Sequence, residues 1–345
     1  MKKIMLSFES DYNNGAHPQI LRRLVETNDL QSLTYGYDQW SESARHKIRI
    51  AAQSPDASVY FLTGGTQTNM TVIDGCLQSY EAVIAVETGH ISIHEASAIE
   101  FTGHKVITLP HHDGKMSAAD LRNYMQWFAN DQSRDHLAQP GMVYITFPTE
   151  FGTVYTKGEI EEIYDICKNY QLTLFVDGAR LGYGLMVEGS EVTLPWLSAH
   201  CDVYYIGGTK VGALCGEAVV FPRGNAPRHF FNIIKRHGAL SAKGRTIGIQ
   251  FDVLFTDNLY FDIARHAITM AMRLRETLRK KGYRFFLDSP SNQQFVVLPT
   301  DKVKALSEKV EFTIWQPYDA DSQVCRFVTS WATTEEQLAA LEAYL

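Results

Sequence analysis

Seven short apolar runs rich in Val, Ile, Tyr and Phe punctuate the first two thirds of this 345-residue chain: Val59–Leu62, Val83–Val86, Val106–Leu109, Met142–Phe147, Leu172–Val176, Val203–Ile206 and Ala218–Phe221. Runs that are apolar at consecutive positions suit strands buried on both faces, as in a mostly parallel sheet. Helical patterns lie between many of them. Thr156-x-x-Glu159 reads as a capping box, followed by Ile160, Ile163 and Ile166 on one stripe. Ser117-x-x-Asp120 opens another helix, with Leu121, Tyr124, Met125 and Phe128 facing inward. This alternation predicts a doubly wound α/β domain whose ligands sit beyond the carboxyl ends of the strands. The texture changes near residue 258. A long helix carries Ile263, Ala267, Met270, Leu274 and Leu278 on one face, and Gly282 stops it. Strand-like pieces follow at Phe295–Leu298, Phe312–Trp315 and Arg326–Thr329, then a last helix capped by Thr333-x-x-Glu336. The expected organisation is a large domain over residues 1–257 and a smaller α+β domain over 258–345. The N-terminal segment is counted with the large domain, with packing against the small one as the alternative.

Composition removes several function classes. The formal net charge is −7 and the pI near 5.9, so no electrostatic case exists for nucleic acid or an anionic membrane as partner. No apolar run approaches the ~18 residues of a membrane span. Lys2 and Lys3 open the chain, but the apolar stretch behind them is broken by Glu9 and is too short for a signal peptide. The closest two of the five cysteines are 14 positions apart, with no C-x-x-C. Free thiols in a reducing compartment, the cytoplasm, are expected.

Four segments hold the chemistry. Thr63-Gly64-Gly65-Thr66 lies between a strand and a helix. Glycines there let the backbone approach an anion at a helix N-terminus, and the Thr66 hydroxyl could add a hydrogen bond to a phosphate. Leu172–Val176 runs straight into Asp177-Gly178-Ala179-Arg180. A carboxylate at the end of a buried strand needs a cation or a cap: Arg180, the next turn, or a pyridinium nitrogen such as that of pyridoxal phosphate. Val203–Ile206 leads into Gly207-Gly208-Thr209-Lys210, 33 positions after Asp177. A crowded, desolvated site lowers a lysine's pKa and makes it a Schiff-base amine; the alternative is a surface-loop lysine. His90 and His94 stand four apart with Glu95 behind them. They suit stacking on a planar ring, simple half-burial, or one face of a hydrolytic metal site that lacks a third ligand at motif spacing.

The order of these segments is more specific than any one of them. A Gly-Thr turn, a histidine, a strand-end Asp-Gly-Ala-Arg and a Thr-Lys form the layout of fold-type I pyridoxal phosphate enzymes. In detail the chain resembles the L-threonine aldolase and β-eliminating lyase family over nearly its whole length. The matching segments are Glu9-Ser10-Asp11, Thr34-Tyr35-Gly36-Tyr37-Asp38, Gly65-Thr66-Gln67-Thr68-Asn69, His90 with Glu95-Ala96, Val176-Asp177-Gly178-Ala179-Arg180, Thr209-Lys210 and Arg326-Phe327-Val328-Thr329. The resemblance implies a seven-stranded, mostly parallel sheet between helices, a small C-terminal α+β domain and pyridoxal 5'-phosphate as cofactor. It implies cleavage of the Cα–Cβ bond of L-threonine or a related β-hydroxy-α-amino acid to glycine and an aldehyde. Other outcomes on the same site are β-elimination, racemisation and non-catalytic binding of the cofactor.

The same resemblance assigns roles. Lys210 would carry the cofactor, Asp177 would hold its ring nitrogen and His90 its ring face. Gly65, Thr66 and Thr209 would hold the phosphate. Ser10, Arg180 and Arg326 would bind the substrate carboxylate, with Arg180 also against the cofactor. Two departures mark the substrate's side-chain end: Tyr35-Gly36-Tyr37-Asp38 replaces a Tyr-Gly-Asp-Asp segment, and Glu150 stands where a histidine is common. The family implies a homotetramer of dimers with shared sites, to which Lys235, Arg236 or Arg245 would bring a basic group.

Overall fold

The computed structural model describes residues 5–345, so Lys2 and Lys3 lie outside it. The seven apolar runs assemble into one sheet. Its spatial order is Ser58–Leu62, Glu217–Phe221, Val203–Gly207, Thr173–Asp177, Gln139–Thr146, Glu81–Val86 and Val106–Leu109. Only Glu217–Phe221 runs antiparallel to its neighbours. Its amino end therefore points the same way as the carboxyl ends of the other six. Both faces of the central strands are covered. Ile84, Val143, Ile145, Leu174, Val176, Tyr204 and Ile206 enter one core. Val83, Ala85, Met142, Tyr144, Phe175, Val203 and Tyr205 enter the other. The continuous apolar runs follow from this two-sided burial, because successive side chains point to opposite faces.

Local signals set the helix ends. The Thr156–Glu159 capping box is formed and opens Lys157–Asn169, and the Ser117 hydroxyl caps Ala118–Asn130. Gly282 has φ +78°, the left-handed region that ends the helix Leu259–Lys280. The last helix starts one residue later than its sequence pattern: Thr334, with Gln337 as its reciprocal partner, caps Glu335–Tyr344. Thr333 instead accepts from the Ser330 N–H at its hydroxyl and from His266 Nε2 at its carbonyl.

The C-terminal part is a four-stranded antiparallel sheet of Thr313–Pro317, Ser322–Val328, Gln293–Pro299 and Arg284–Phe285, in that order. The N-terminal segment belongs to its core: Leu6–Ser7 pairs in parallel with Val310–Glu311, and Phe8 packs with Leu298, Phe327 and Leu338. The long helix serves both regions. Tyr260, Ala264 and Ala267 join the core of the large sheet, and Met270, Leu274 and Leu278 join the smaller one. One rigid helix thus fixes Arg326, on the small sheet, relative to the strand ends of the large one.

Candidate active site

Six strand ends converge on one cleft of about 310 Å³, lined by Tyr12, Thr63 to Thr66, His90, Thr146, Glu150, Asp177, Arg180, Thr209, Lys210 and Glu217. All but Tyr12 stand on or just beyond the same edge of the sheet, where open α/β sheets place their ligands. Of the residues singled out in the sequence, His90, Glu150, Gly65, Thr66, Asp177, Arg180, Thr209 and Lys210 meet here. Ser10, Tyr35 and Arg326 do not line the cleft. Ser10 hydrogen-bonds Asn13 in a separate hollow, and Tyr35 lies beside another cleft under the Lys235 ammonium.

Asp177 is almost fully buried. Its Oδ2 accepts hydrogen bonds from the Tyr144 hydroxyl (2.5 Å) and Asn69 Nδ2 (2.9 Å), and its Oδ1 accepts one from the Ala179 N–H (2.9 Å). Asn69 Nδ2 also donates to Glu95 Oε1 at 2.7 Å, and that oxygen lies 2.7 Å from His90 Nδ1. A buried chain therefore runs from Tyr144 through Asp177, Asn69 and Glu95 to the His90 ring. Such a chain fixes the ring's orientation and leaves Nε2 for the cleft. The partner of Arg180 is not Asp177. Its Nε and Nη2 grip Asp11 at 2.6 and 3.0 Å. Burial alone would raise the Asp11 carboxyl, but the Arg180 guanidinium pulls it below its usual range. This pair occupies the two-point edge of the Arg180 fork and leaves Nη1 for a further anion.

Glu150 is held at both oxygens, by the His90 backbone N–H (2.9 Å) and by the Thr146 hydroxyl (3.0 Å). Burial, with the nearby Asp177 charge, pushes its carboxyl up to about 7. Lys210 has no carboxylate within ion-pair distance among the described residues; its Nζ lies 5.9 Å from the Tyr12 ring centre. Burial and the Arg180 charge push its amine below the usual lysine range. The Thr209 hydroxyl donates to Glu217 Oε1 (2.8 Å) and accepts from the Gly216 N–H (3.1 Å).

Arg326 lies just outside, over the Trp315 ring, and donates to Gln293 Oε1, the Glu9 carbonyl and Thr313 Oγ1. No carboxylate pairs with it among the described residues, and its buried Nε has no partner. Burial and the Arg180 charge lower its pKa to about 10. A guanidinium in that state suits an incoming carboxylate. The metal reading of His90 and His94 finds no support in geometry: no group of three or more His, Cys, Asp or Glu converges among the described residues.

Sequence reasoning missed Glu217, the Tyr144–Asn69–Glu95 chain and the role of Asp11. Glu217 carried the same signal as Asp177, an acid at the end of a wholly apolar strand, but at the amino end of the one reversed strand.

The cleft also fits the cofactor that its residue order implies. The helix Gly65–Cys76 offers its first-turn N–H groups to the cleft with no side-chain cap and no acidic residue in that turn. An aspartate with a lone pair left on Oδ1, an unpaired lysine amine and a histidine ring complete the set. Fold and site define a fold-type I pyridoxal phosphate lyase. A family model for β-eliminating lyases matches residues 10–290, and the chain belongs to that family. A low-specificity L-threonine aldolase from a Pseudomonas species is 30% identical over 341 residues, 97% of this chain and 96% of the relative. The low-specificity L-threonine aldolase of Pseudomonas aeruginosa is 30% identical over 339 residues, 97% of this chain and 95% of that one. A solved threonine aldolase from Leishmania major matches with TM-score 0.94 and 39% identity over 98% of this chain and 97% of its own.

Proposed function

We propose that this protein cleaves the Cα–Cβ bond of L-threonine or a related β-hydroxy-α-amino acid to glycine and an aldehyde, with pyridoxal phosphate as cofactor. The full-length likeness to L-threonine aldolases supports the substrate class. The single observation that carries the chemistry is the meeting of Lys210, Asp177, His90 and Glu150 in one cleft. When bound, pyridoxal phosphate supplies an aldehyde carbon that an amine can bond and a ring that accepts the electron pair of the breaking bond.

The chain's own residues do the rest. Lys210, whose charged form is disfavoured by burial and the Arg180 charge, would carry the cofactor. Asp177, steadied by three donors, would hold the ring nitrogen. His90, braced through Nδ1 by Glu95, would cover a ring face. The Gly65–Thr66 helix start and Thr209 would hold the phosphate. Arg326 and the remaining donors of Arg180 take the substrate carboxylate. Glu150, titrating near neutrality, would take the β-hydroxyl proton as the Cα–Cβ bond breaks, and a proton delivered to Cα completes glycine. A screen of β-hydroxy amino acids, with aldehyde, glycine and ammonia all measured, tests the reading. Glycine and aldehyde in equal amounts are expected; ammonia without glycine would mean β-elimination.

The same reading includes a homotetramer in the cytoplasm. Leu30, Leu33, Tyr35 and Tyr37 are exposed apolar groups near a second cleft of about 350 Å³, which supports a covering subunit. Of the three basic candidates, Arg236 pairs with Asp74 and Arg245 donates to the Leu30 and Asn28 carbonyls. Among the described residues Lys235 meets only the Tyr35 ring, which favours it for a neighbour's site. Five unbonded cysteines support a reducing location. Light scattering of the purified chain tests the tetramer.

A further inference from the structure

Glu217 is the acid in the cleft that the proposed mechanism does not use. It is buried, has no ion-pair partner among the described residues, and stands beside the anion site. In the sheet it pairs with Leu62, two residues before the Gly64 cap of the helix Gly65–Cys76. Its Oε2 accepts from the Gly208 N–H at 3.0 Å and its Oε1 from the Thr209 hydroxyl at 2.8 Å. An ionised carboxylate there conflicts with a phosphate twice. It adds like charge at the helix end that attracts the anion, and it consumes the hydroxyl proton of Thr209.

We propose that the site binds the cofactor's phosphate with Glu217 protonated, taking up a proton wherever that acid is ionised beforehand, and that this proton reverses the Glu217–Thr209 hydrogen bond so that Thr209 donates to the phosphate. The inference rests on the cofactor reading above and deepens it. The hydrogen-bond count closes. With Glu217 protonated on Oε1, the Thr209 oxygen accepts from Glu217 and from the Gly216 N–H, already at 3.1 Å, and its own proton is released to the cleft. The surroundings favour the neutral acid. Burial raises the Glu217 carboxyl to about 8, Lys210 opposes the rise and Asp177 adds to it. Tyr205 from the adjacent strand and Tyr260 from the long helix also face it. On the remaining sides Leu62 is its apolar strand partner, and Ile247 packs against Gly216.

The test uses the full chain freed of cofactor and two probes that cannot bond Lys210: pyridoxine 5'-phosphate and pyridoxine. The ratio of their affinities cancels the ring's own titration. The phosphate is a dianion above about pH 7, since its second pKa is near 6. In the wild type the preference for the phosphorylated probe should fall above about pH 8, by up to tenfold per unit, as one linked proton requires. Glu217→Gln mimics the protonated acid, because its amide donates to Thr209 and accepts from Gly208. It should keep the low-pH preference at every pH. A flat wild-type ratio overturns the inference, and so does a slope that survives in Glu217→Gln, which would assign the proton to Lys210. Calorimetry of the wild type in two buffers reads the proton directly. Approaching one extra proton for the phosphorylated probe near pH 8.5 is expected, and none refutes it. If neither probe binds the wild type, the cofactor reading itself fails.

Discussion

Glu150→Gln removes one titrating group and almost no volume. The carboxyl it removes lies near 7 in the fold against an ordinary 4.5, with burial as the main cause. A general base works only when ionised, so wild-type kcat should decline as the pH falls through about 7, approaching tenfold per unit below it. Gln cannot accept the proton. At pH 8 kcat should drop by about 10²–10⁴-fold, the range general bases contribute, and the acidic limb should vanish. Stability should move the other way. A rise of about 2.5 units corresponds to at most about 3.5 kcal/mol, at about 1.4 kcal/mol per unit. Because the folded pKa lies above the unfolded one, this stability is fully present below about pH 4.5. It is lost as the pH rises through 7 and stays lost at pH 8. Gln escapes that cost, since its amide oxygen accepts from the His90 N–H and its amide nitrogen donates to the Thr146 hydroxyl, which turns to accept. The variant should therefore melt a few degrees above wild type at pH 8 and show no gain at pH 5. The assays are kcat with L-threonine and L-allo-threonine from pH 5.5 to 9, and thermal melts at pH 5 and 8. Unchanged kcat with an unchanged limb in the Gln variant would refute the role. A lowered kcat with the limb intact would give the titration to another group.

The other expected outcomes are these. Lys210→Ala should abolish turnover and the visible band that borohydride removes from the loaded enzyme; a retained band would show the lysine misassigned. Asp177→Asn should cut kcat by a hundredfold or more, ~3 kcal/mol, in protein that still binds cofactor, and full activity in loaded protein would exclude the ring-nitrogen role. Arg326→Lys should raise KM for threonine at least tenfold with an unaltered cofactor spectrum, because an ammonium lacks the planar fork; an unchanged KM would place the carboxylate elsewhere. Gly178→Ala would bring a Cβ to 1.9 Å from the Tyr205 carbonyl oxygen, so the backbone must shift. It should lower stability by about 3 kcal/mol or more in denaturant titrations, and a variant as stable as wild type would contradict the close approach.

The sequence alone determined the strands, the capped helices and the order of the chemical segments. Each depends on neighbours a few residues away. Two-sided burial writes continuous apolar runs, caps write Ser or Thr three residues before an acceptor, and a strand-end acid or lysine shows against the apolar run behind it. Thr334 rather than Thr333 as the last cap, an error of one residue, is the scale at which such local signals fail. Tertiary structure decided which of these groups meet. Arg180 follows Asp177 by three positions yet pairs with Asp11, 169 residues away, because the strand end turns its side chain toward the N-terminal segment. Asn69 joins Asp177 to Glu95 across separations of 108 and 26 residues, which only the sheet order brings within hydrogen-bond reach. Tyr35 and Ser10 share the family's motifs but lie away from this cleft in the single chain. Glu217 was invisible as a site residue because strand direction is not written in composition. An acid at the start of a strand reaches the functional edge only when that strand alone runs backwards, and hydrogen bonding to its neighbours across the sheet, rather than any local propensity, fixes the direction.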